Sequence, residues 1–336
     1  MNAKASEVES VVFIGCDSRS GSTLLDHLLS NSDEVTCVGE MSHLSEYLNR
    51  TGMGWSWDWV CTCRKHIESC PFWSKMIEEY QKHENRSLRE VDTFCKKRYS
   101  AKVALILTLL ILLSFPKALK KKLLKILYGN KSVQIGQNCL RIYSYVKQTN
   151  GGSIILDSSK EPSYLYCLLQ AVKRKTQVKV IHLVRDARAV SISKKKRVQQ
   201  TAGKGSYGYA MLAWVIVNLQ LLSLRPFIAS DNYLMVSYES LCKNPEAVIQ
   251  HICKKLNISY EPSMSRPETQ QQKHNIGGSQ HRFGGFKTIT LDEKWKSRMT
   301  WKKKILYSIL GWPLNKYLMF KLKRQESERF SSTCSW

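Results

Sequence analysis

The sequence is short of acidic residues: 27 Asp and Glu stand against 52 Lys and Arg over 336 positions, a net charge of +25. That imbalance points to an anionic ligand, a nucleic acid or an anionic membrane surface, without choosing among them. A bilayer span takes about twenty apolar residues; the run Val103–Phe115 has thirteen apolar or near-apolar residues and falls short. No internal repeat is present, which sets aside solenoids and propellers, and no long low-complexity segment interrupts the chain. The first ten residues are polar and lead straight into a strand, so no secretory leader is expected. Eleven cysteines, an odd number scattered over the whole length, do not form a disulfide framework; most are expected as reduced, buried thiols of an intracellular protein. What is present suffices for a sizeable core, since 43% of residues are apolar, and the length allows one large α/β domain or two smaller ones.

The chain is organised around Val11–Leu29. Val11–Ile14 is an apolar run ending at Gly15 and reads as a buried strand of a parallel sheet. Cys16–Ser22 is a small polar turn, and Thr23–Leu29 carries Leu24, Leu25, Leu28 and Leu29 at helical spacing. Strand, tight turn and helix together hold an anion, because backbone N–H groups and the helix dipole converge there. Ser18, Ser20, Ser22 and Thr23 add hydroxyls, and Arg19 adds a fixed charge. The nucleotide loop GxxxxGK[ST] does not fit: Gly15 to Gly21 is one residue too long, and Ser22 stands where the lysine belongs. Such a cradle is poor for NTP β- and γ-phosphates and good for the 5′ end of another anionic nucleotide.

Further strand ends carry chemistry. Thr36–Val38 is β-prone and leads to Gly39-Glu40, followed by a helical stretch Ser42–Leu48. Glu40 sits at a strand's carboxyl end, where ligands gather in open α/β sheets, and is a candidate general base, with His43 as the fallback. Ser153–Leu156 is a strand ending near Lys160, with a helix over Glu161–Lys173. Lys179–Val184 is the clearest strand; it runs into Arg185 and a helix bearing Ser193 and the basic run Lys194–Arg197. His182 reads as a residue of that buried strand. Tyr207–Leu224 reads as a core helix, and Tyr233–Ser237 as a fifth strand followed by Tyr238-Glu239-Ser240-Leu241. Asn244-Pro245 opens a helix to about Leu256. Asn257–Ile289 is polar, irregular and long enough for a lid. Thr290-Leu-Asp-Glu293 reads as a capping box opening a helix that carries Trp295, and the tail from Gln325 reads as disordered.

Arg50–Asn130 departs from this pattern. Cys61, Cys63, His66 and Cys70 could hold zinc, but C-x-C-x₂-H-x₃-C is not a usual knuckle spacing. A bridge from Cys61 or Cys63 to Cys70, or three free thiols, is expected ahead of a metal. After Val103–Phe115, the segment Lys117–Gly129 places Leu119, Leu123, Ile126 and Leu127 on one helical face with lysines mostly off it. Packing of this pair of helices over the core and active site is expected, with contact to an anionic membrane through 103–129 left open.

Taken together, three motifs resemble those of the PAPS-dependent sulfotransferases. Ser18-Arg-Ser-Gly-Ser-Thr-Leu24 resembles their 5′-phosphosulfate loop. Val184–Ser193, with the eight-residue step from Arg185 to Ser193 and with Arg197 beyond it, resembles their 3′-phosphate motif. Tyr238-Glu-Ser-Leu241 is similar to a later segment whose tyrosine lies at the nucleotide. His274–Phe283 and Leu291–Trp295 resemble the lid of the carbohydrate and tyrosylprotein branch, which brings Arg282 into the nucleotide site. Ala187 replaces a usual proline, which should only loosen the turn, and Ser279 stands where many relatives carry asparagine.

The resemblance implies an α/β fold with a mostly parallel, P-loop-like sheet. It implies one domain over 8–325, with a helical insertion at 50–130 and a tail at 326–336. It implies sulfuryl transfer from PAPS to an acceptor hydroxyl or amine of a small molecule or carbohydrate. Glu40 would be the base, and Lys160 and Arg19 the charge stabilisers. Ser18–Leu24, Arg185, Ser193, Arg197, Tyr238 and Arg282 would hold PAPS. No metal is expected in the reaction, because side chains would neutralise the leaving bisphosphate, and no nucleic-acid partner is expected. The acceptor and the oligomeric state are not legible, although the insertion and lid are expected to shape the acceptor site. The polar start favours a cytoplasmic enzyme over an anchored Golgi one. The rival readings are a P-loop kinase or NTPase and a non-catalytic basic protein that docks on membranes.

Overall fold

The computed structural model describes residues 8–50, 59–94, 101–112, 115–172, 176–202, 206–268 and 273–333. Its centre is a five-stranded sheet: β1 (Ser10–Gly15), β2 (Val35–Gly39), β3 (Ile154–Lys160), β4 (Gln177–Val184) and β5 (Tyr233–Ser237). The strand order is β2-β3-β1-β4-β5, and every neighbouring pair is parallel. The helices are α1 (Ser22–Leu29), α2 (Leu44–Asn49), α3 (Pro71–Glu84), α4 (Ala101–Leu112), α5 (Lys117–Tyr128), α6 (Ser132–Asn150), α7 (Pro162–Ala171), α8 (Ala187–Ala202), α9 (Tyr207–Leu224), α10 (Tyr238–Lys243), α11 (Pro245–Leu256), α12 (Trp301–Leu310) and α13 (Trp312–Thr333).

Both faces of the sheet are covered, which is why its strands read as continuous apolar runs. Along β1, Val11 and Phe13 enter one core and Val12 and Ile14 the other. The first core is closed by α3, α6, α7 and α9. The second is closed by α1, α10 and α11. Helix α9 is long and apolar enough to cross a membrane by composition, yet most of it is buried inside the protein. Trp214, fully buried there, would cost about 3–5 kcal/mol if truncated to alanine. His182 is buried on β4, between the Tyr233 hydroxyl at 2.6 Å and Asn218 Oδ1 at 2.9 Å. The expectation for that residue holds.

Topology fixes where a ligand goes. The sheet has β3 on one side of β1 and β4 on the other, so the winding reverses beside β1 and a crevice opens at the carboxyl ends of the strands. The segments following all five strands, which begin at Cys16, Glu40, Glu161, Arg185 and Tyr238, lie at that edge.

Several expectations are corrected. Strand β3 does not stop at Leu156 but continues to Lys160, pairing Gly15 with Lys160. No helix starts at Thr290–Glu293: Asp292 is drawn to Arg185 instead, and the next regular element is a short turn at Lys296–Arg298. Helix α13 runs on to Thr333, through the stretch expected to be a disordered tail. In the insertion, α4 buries Val103, Leu107 and Leu110 and leaves Leu105, Ile106 and Leu109 exposed. The stripe expected on α5 is split, since Leu127 is buried with Leu124 while Leu119 and Ile126 face solvent. Of the two alternatives left open for Cys61, Cys63 and Cys70, a bridge to Cys70 or three free thiols, the structure has the second.

Candidate active site

The turn after β1 is built to leave a helix N-terminus open. Gly21 caps α1 at φ 97° with no side-chain cap, and its carbonyl accepts from the N–H groups of Leu24 and Leu25 at 3.0 and 3.1 Å. Ser20 N–H donates to the Asp17 carbonyl at 3.2 Å and tightens the bend. Asp17 is buried and paired with Lys194 of α8 at 2.5 Å. Burial pushes its carboxyl upward, and Lys194 opposes that. A Cβ on Gly21 would lie 2.3 Å from the Tyr238 ring, so the glycine is needed both for its left-handed backbone and for this close approach.

Three distant segments interlock over this turn. The Arg185 guanidinium, from the end of β4, lies 4.3 Å from the centre of the Tyr238 ring, a cation–π contact. It donates to the Arg19 carbonyl at 3.0 Å. Arg19 in turn donates from Nε to Ser193 Oγ at 3.1 Å. The Ser18–Leu24 turn and the Arg185–Ser193 motif therefore face one cavity, although they are far apart in sequence.

On the β2–β3 side, Glu40 and Lys160 are in direct ion-pair contact. The Tyr47 hydroxyl lies 3.4 Å from Glu40 Oε2. The backbone around Glu40 is pinned by the lid: Glu40 N–H donates to the Ile276 carbonyl at 2.8 Å, and Ile276 N–H to the Val38 carbonyl at 3.4 Å. Gly39, at φ 75°, permits this, because a Cβ there would fall 2.2 Å from the Ile276 carbonyl oxygen. Arg19 (φ 73°) and Lys160 (φ 70°) are non-glycine residues in the left-handed region. Arg50, Asn85 and Asn257 share that conformation as ordinary helix C-caps, and Arg64 sits in the cysteine turn. The remaining two, Arg19 and Lys160, stand at the candidate site, where backbone strain commonly concentrates.

A cavity of about 1070 Å³ joins these groups. It is lined by Ser18, Arg19, Gly21, Ser22, Thr23, Leu24, Glu40, Lys160, Arg185, Ser193 and Tyr238. Ser20 is buried beneath the turn. Arg197 lies in α8 with its side chain outside the described residues. Arg282 is not brought to this cavity: its guanidinium donates to the carbonyls of Gly277 and Val60 and stacks on Phe283, so it ties the lid down instead. His43 pairs with Glu46 at 2.5 Å and does not line the cavity.

The described insertion residues do not line this cavity, although Thr62 lines a small adjoining pocket with Thr23 and Lys160; further wall comes from Ser206, Tyr209 and Ala213 of the α9 region and from Phe286 and Asp292 of the lid, among others. Lys194 and Asp292 are site residues that sequence reasoning missed. The first was visible only as one of a basic run, and the second only as part of a capping signature and of the lid-like segment Leu291–Trp295, with no role of its own. Ala187, where a proline was expected, has an N–H that donates to Asn315 Oδ1 of α13 at 3.1 Å, so the turn is fastened rather than loosened.

The parallel sheet, with an open helix N-terminus, a second basic strand end and an acid–cation pair around one cavity, defines an α/β protein of the P-loop-like class. Comparison with known proteins makes this specific. A family model described as "Sulfotransferase family" matches residues 11–262, and the chain belongs to that family. Among solved structures it is similar to the sulfotransferase domain of the Synechococcus PCC 7002 olefin synthase, at 20% identity over 93% of this chain and 98% of that one, with a TM-score of 0.48. It is similar to the sulfotransferase domain of the curacin biosynthetic pathway at 18% identity, over 91% of this chain and 99% of that one, with a TM-score of 0.48. It is also similar to sulfotransferase STF1 of Mycobacterium tuberculosis H37Rv at 14% identity, over 92% and 78% of the two chains, with a TM-score of 0.49. A search of curated proteins finds no significant match.

Proposed function

We propose that this sulfotransferase uses PAPS as donor and delivers its sulfuryl group to an acceptor hydroxyl. The observation that carries the reading is that the Ser18–Leu24 turn, the Arg185–Ser193 pair and the Glu40–Lys160 pair line one cavity. The α1 N-terminus with Arg19, Ser22 and Thr23 would hold the 5′-phosphosulfate. Arg185 and Ser193 would hold the 3′-phosphate, the group that separates PAPS from 5′-adenylates. The residues fit such an anion: Arg185 is buried, and its Nε has no hydrogen-bond partner among the described residues. Ser22 in place of the phosphate-loop lysine disfavours the kinase reading.

Sulfuryl transfer resembles phosphoryl transfer in its loosely bonded transition state, so positioning and charge stabilisation dominate. Glu40 takes the proton of the acceptor hydroxyl as the acceptor oxygen bonds to sulfur and the sulfur–oxygen bond to the nucleotide breaks. Lys160 and Arg19 stabilise negative charge on the bridging and leaving oxygens. The test is calorimetric binding of adenosine 3′,5′-bisphosphate and of 5′-AMP. The bisphosphate should bind more tightly, and Arg185→Ala should weaken it about 10- to 100-fold, the value of a charged hydrogen bond or two. Equal binding of the two nucleotides overturns the reading.

A second surface supports peripheral attachment to an anionic bilayer. Helices α12 and α13 expose Trp301, Ile305, Ile309, Trp312 and Phe320. Lys302 and Lys316 lie over the Trp301 and Trp312 rings at 5.6 and 4.8 Å. Apolar side chains bordered by lysines match an anionic lipid surface in both chemistry and charge. This face, with the exposed side of α4, extends the membrane expectation beyond 103–129.

A further inference from the structure

We propose that Cys61, Cys63, Cys70 and His274 form a structural zinc site that fastens the lid to the insertion. The four side chains come from a turn, the start of α3 and a segment some two hundred residues later. Their ligand atoms nevertheless all lie within 4.8 Å of one another. Cys70 Sγ is 3.5 Å from Cys61 Sγ and 3.2 Å from His274 Nδ1, and Cys61 Sγ is 3.7 Å from the same nitrogen. A tetrahedral ion with Zn–S about 2.3 Å and Zn–N about 2.0–2.1 Å sets ligand edges of about 3.8 Å between sulfurs and about 3.6 Å between sulfur and nitrogen. The observed separations are close to those edges and far from the roughly 2.05 Å of a disulfide. Three thiolates and one imidazole are a standard structural donor set for zinc.

The surroundings hold the donors in place, as the outer shell of a metal site does. Cys61 N–H donates to the Lys65 carbonyl and Arg64 N–H to the Cys61 carbonyl, both at 2.8 Å, so Cys61 and Cys63 project from one tight turn. The His274 ring stacks on Phe72 at 5.4 Å and 12°. Its carbonyl accepts from Trp73 Nε1 at 2.7 Å. His66, the ligand that sequence spacing offered, is not in the cluster. The metal would stand outside the reaction. Two residues on from His274, Ile276 pairs with the backbone at Glu40, so the ion would anchor the strand of lid that aligns the proposed base.

The test is metal content of the purified, reduced protein, with cobalt as a spectroscopic substitute. About one zinc per chain is expected. Cobalt should give visible absorption of a tetrahedral ion together with thiolate charge transfer. Cys70→Ser and His274→Ala should lose the metal, whereas His66→Ala should keep it. Should the first two variants fail to fold, wild-type protein decides: a strong chelator should release the zinc and expose three thiols to a thiol reagent together. Reduced wild-type protein that takes up neither zinc nor cobalt stoichiometrically overturns the site, as does loss of metal in His66→Ala with retention in His274→Ala. Metal uptake is read without any sulfuryl transfer, so failure here leaves the bisphosphate-binding test untouched, and the reverse holds too.

Discussion

Asp292 Oδ2 lies 3.2 Å from the Arg185 guanidinium, and the Asp292 carbonyl oxygen lies at the same distance from the same nitrogen. The lid thus lays a carboxylate on the buried cation proposed to receive the 3′-phosphate. Both anions cannot take that guanidinium fully, so nucleotide binding must compete with Asp292. The carboxylate is about half exposed, which limits the worth of the pair to roughly 1 kcal/mol. Asp292→Asn is therefore expected to tighten adenosine 3′,5′-bisphosphate binding by about 3- to 10-fold and to leave 5′-AMP unaffected. Equal tightening of both nucleotides would place the effect elsewhere than at Arg185.

Glu40 is expected to carry the proton transfer. Glu40→Gln keeps the side chain's shape and removes its basicity, so turnover should fall about 10²- to 10⁴-fold while bisphosphate affinity stays essentially unchanged. Tyr47→Phe, which removes a hydroxyl 3.4 Å from Glu40, should lower turnover less and in the same direction. If Glu40→Gln turns over at the wild-type rate, the base lies elsewhere. His43 is then the next residue to replace, although it does not line the cavity.

The strand ends that carry the site were legible because buried parallel strands are continuous apolar runs, and the runs give way to polar or charged residues at Ser18, Glu40, Lys160, Arg185 and Glu239. That reading was local, and it failed where long-range partners decide. Thr290–Glu293 has the spacing of a capping box, but Asp292 answers to Arg185, over a hundred positions away in the sequence. Arg282 is placed at the nucleotide by the resemblance of its segment to the family's lid, yet the backbone carbonyls of Gly277 and Val60 hold it. His66 has the nearer spacing to the cysteines, yet His274 is the imidazole that reaches them. The stretch after Gln325 is polar enough to read as a tail. Leu318 and Leu322, buried one turn apart on α13, show how the preceding part of that helix is anchored.

The basic, apolar face of α12 and α13 makes a prediction that does not depend on the chemistry. The protein should co-sediment with vesicles containing phosphatidylserine, less with neutral phosphatidylcholine vesicles, and less again at high salt. Trp301→Ser combined with Ile309→Ser should abolish sedimentation and leave bisphosphate binding intact. Equal sedimentation of wild type and the double variant would remove this face as the contact.

His182 offers a test of the core itself. Burial on β4, helped by the charge of Arg225, pushes its imidazole down to about 4, with the hydrogen bond to Asn218 opposing. An unfolded chain protonates the same ring near its ordinary value of about 6.5. The stability linked to His182 is thus fully present above that value and is lost as pH falls toward 4, by about 3 kcal/mol in all. Asp157 works in the opposite sense: burial raises its carboxyl to about 6, so the folded state gains stability as pH falls through that range. The total pH curve mixes the two, and the difference between wild type and His182→Gln isolates one. His182→Gln should be destabilised at pH 8, because it disturbs the contacts to Tyr233 and Asn218. That gap should narrow by about 2–3 kcal/mol at pH 4.5, where the wild type alone bears the cost of keeping the ring neutral. Denaturant melts at the two pH values measure it, and a gap that does not change with pH would mean the imidazole is not held neutral in the folded core.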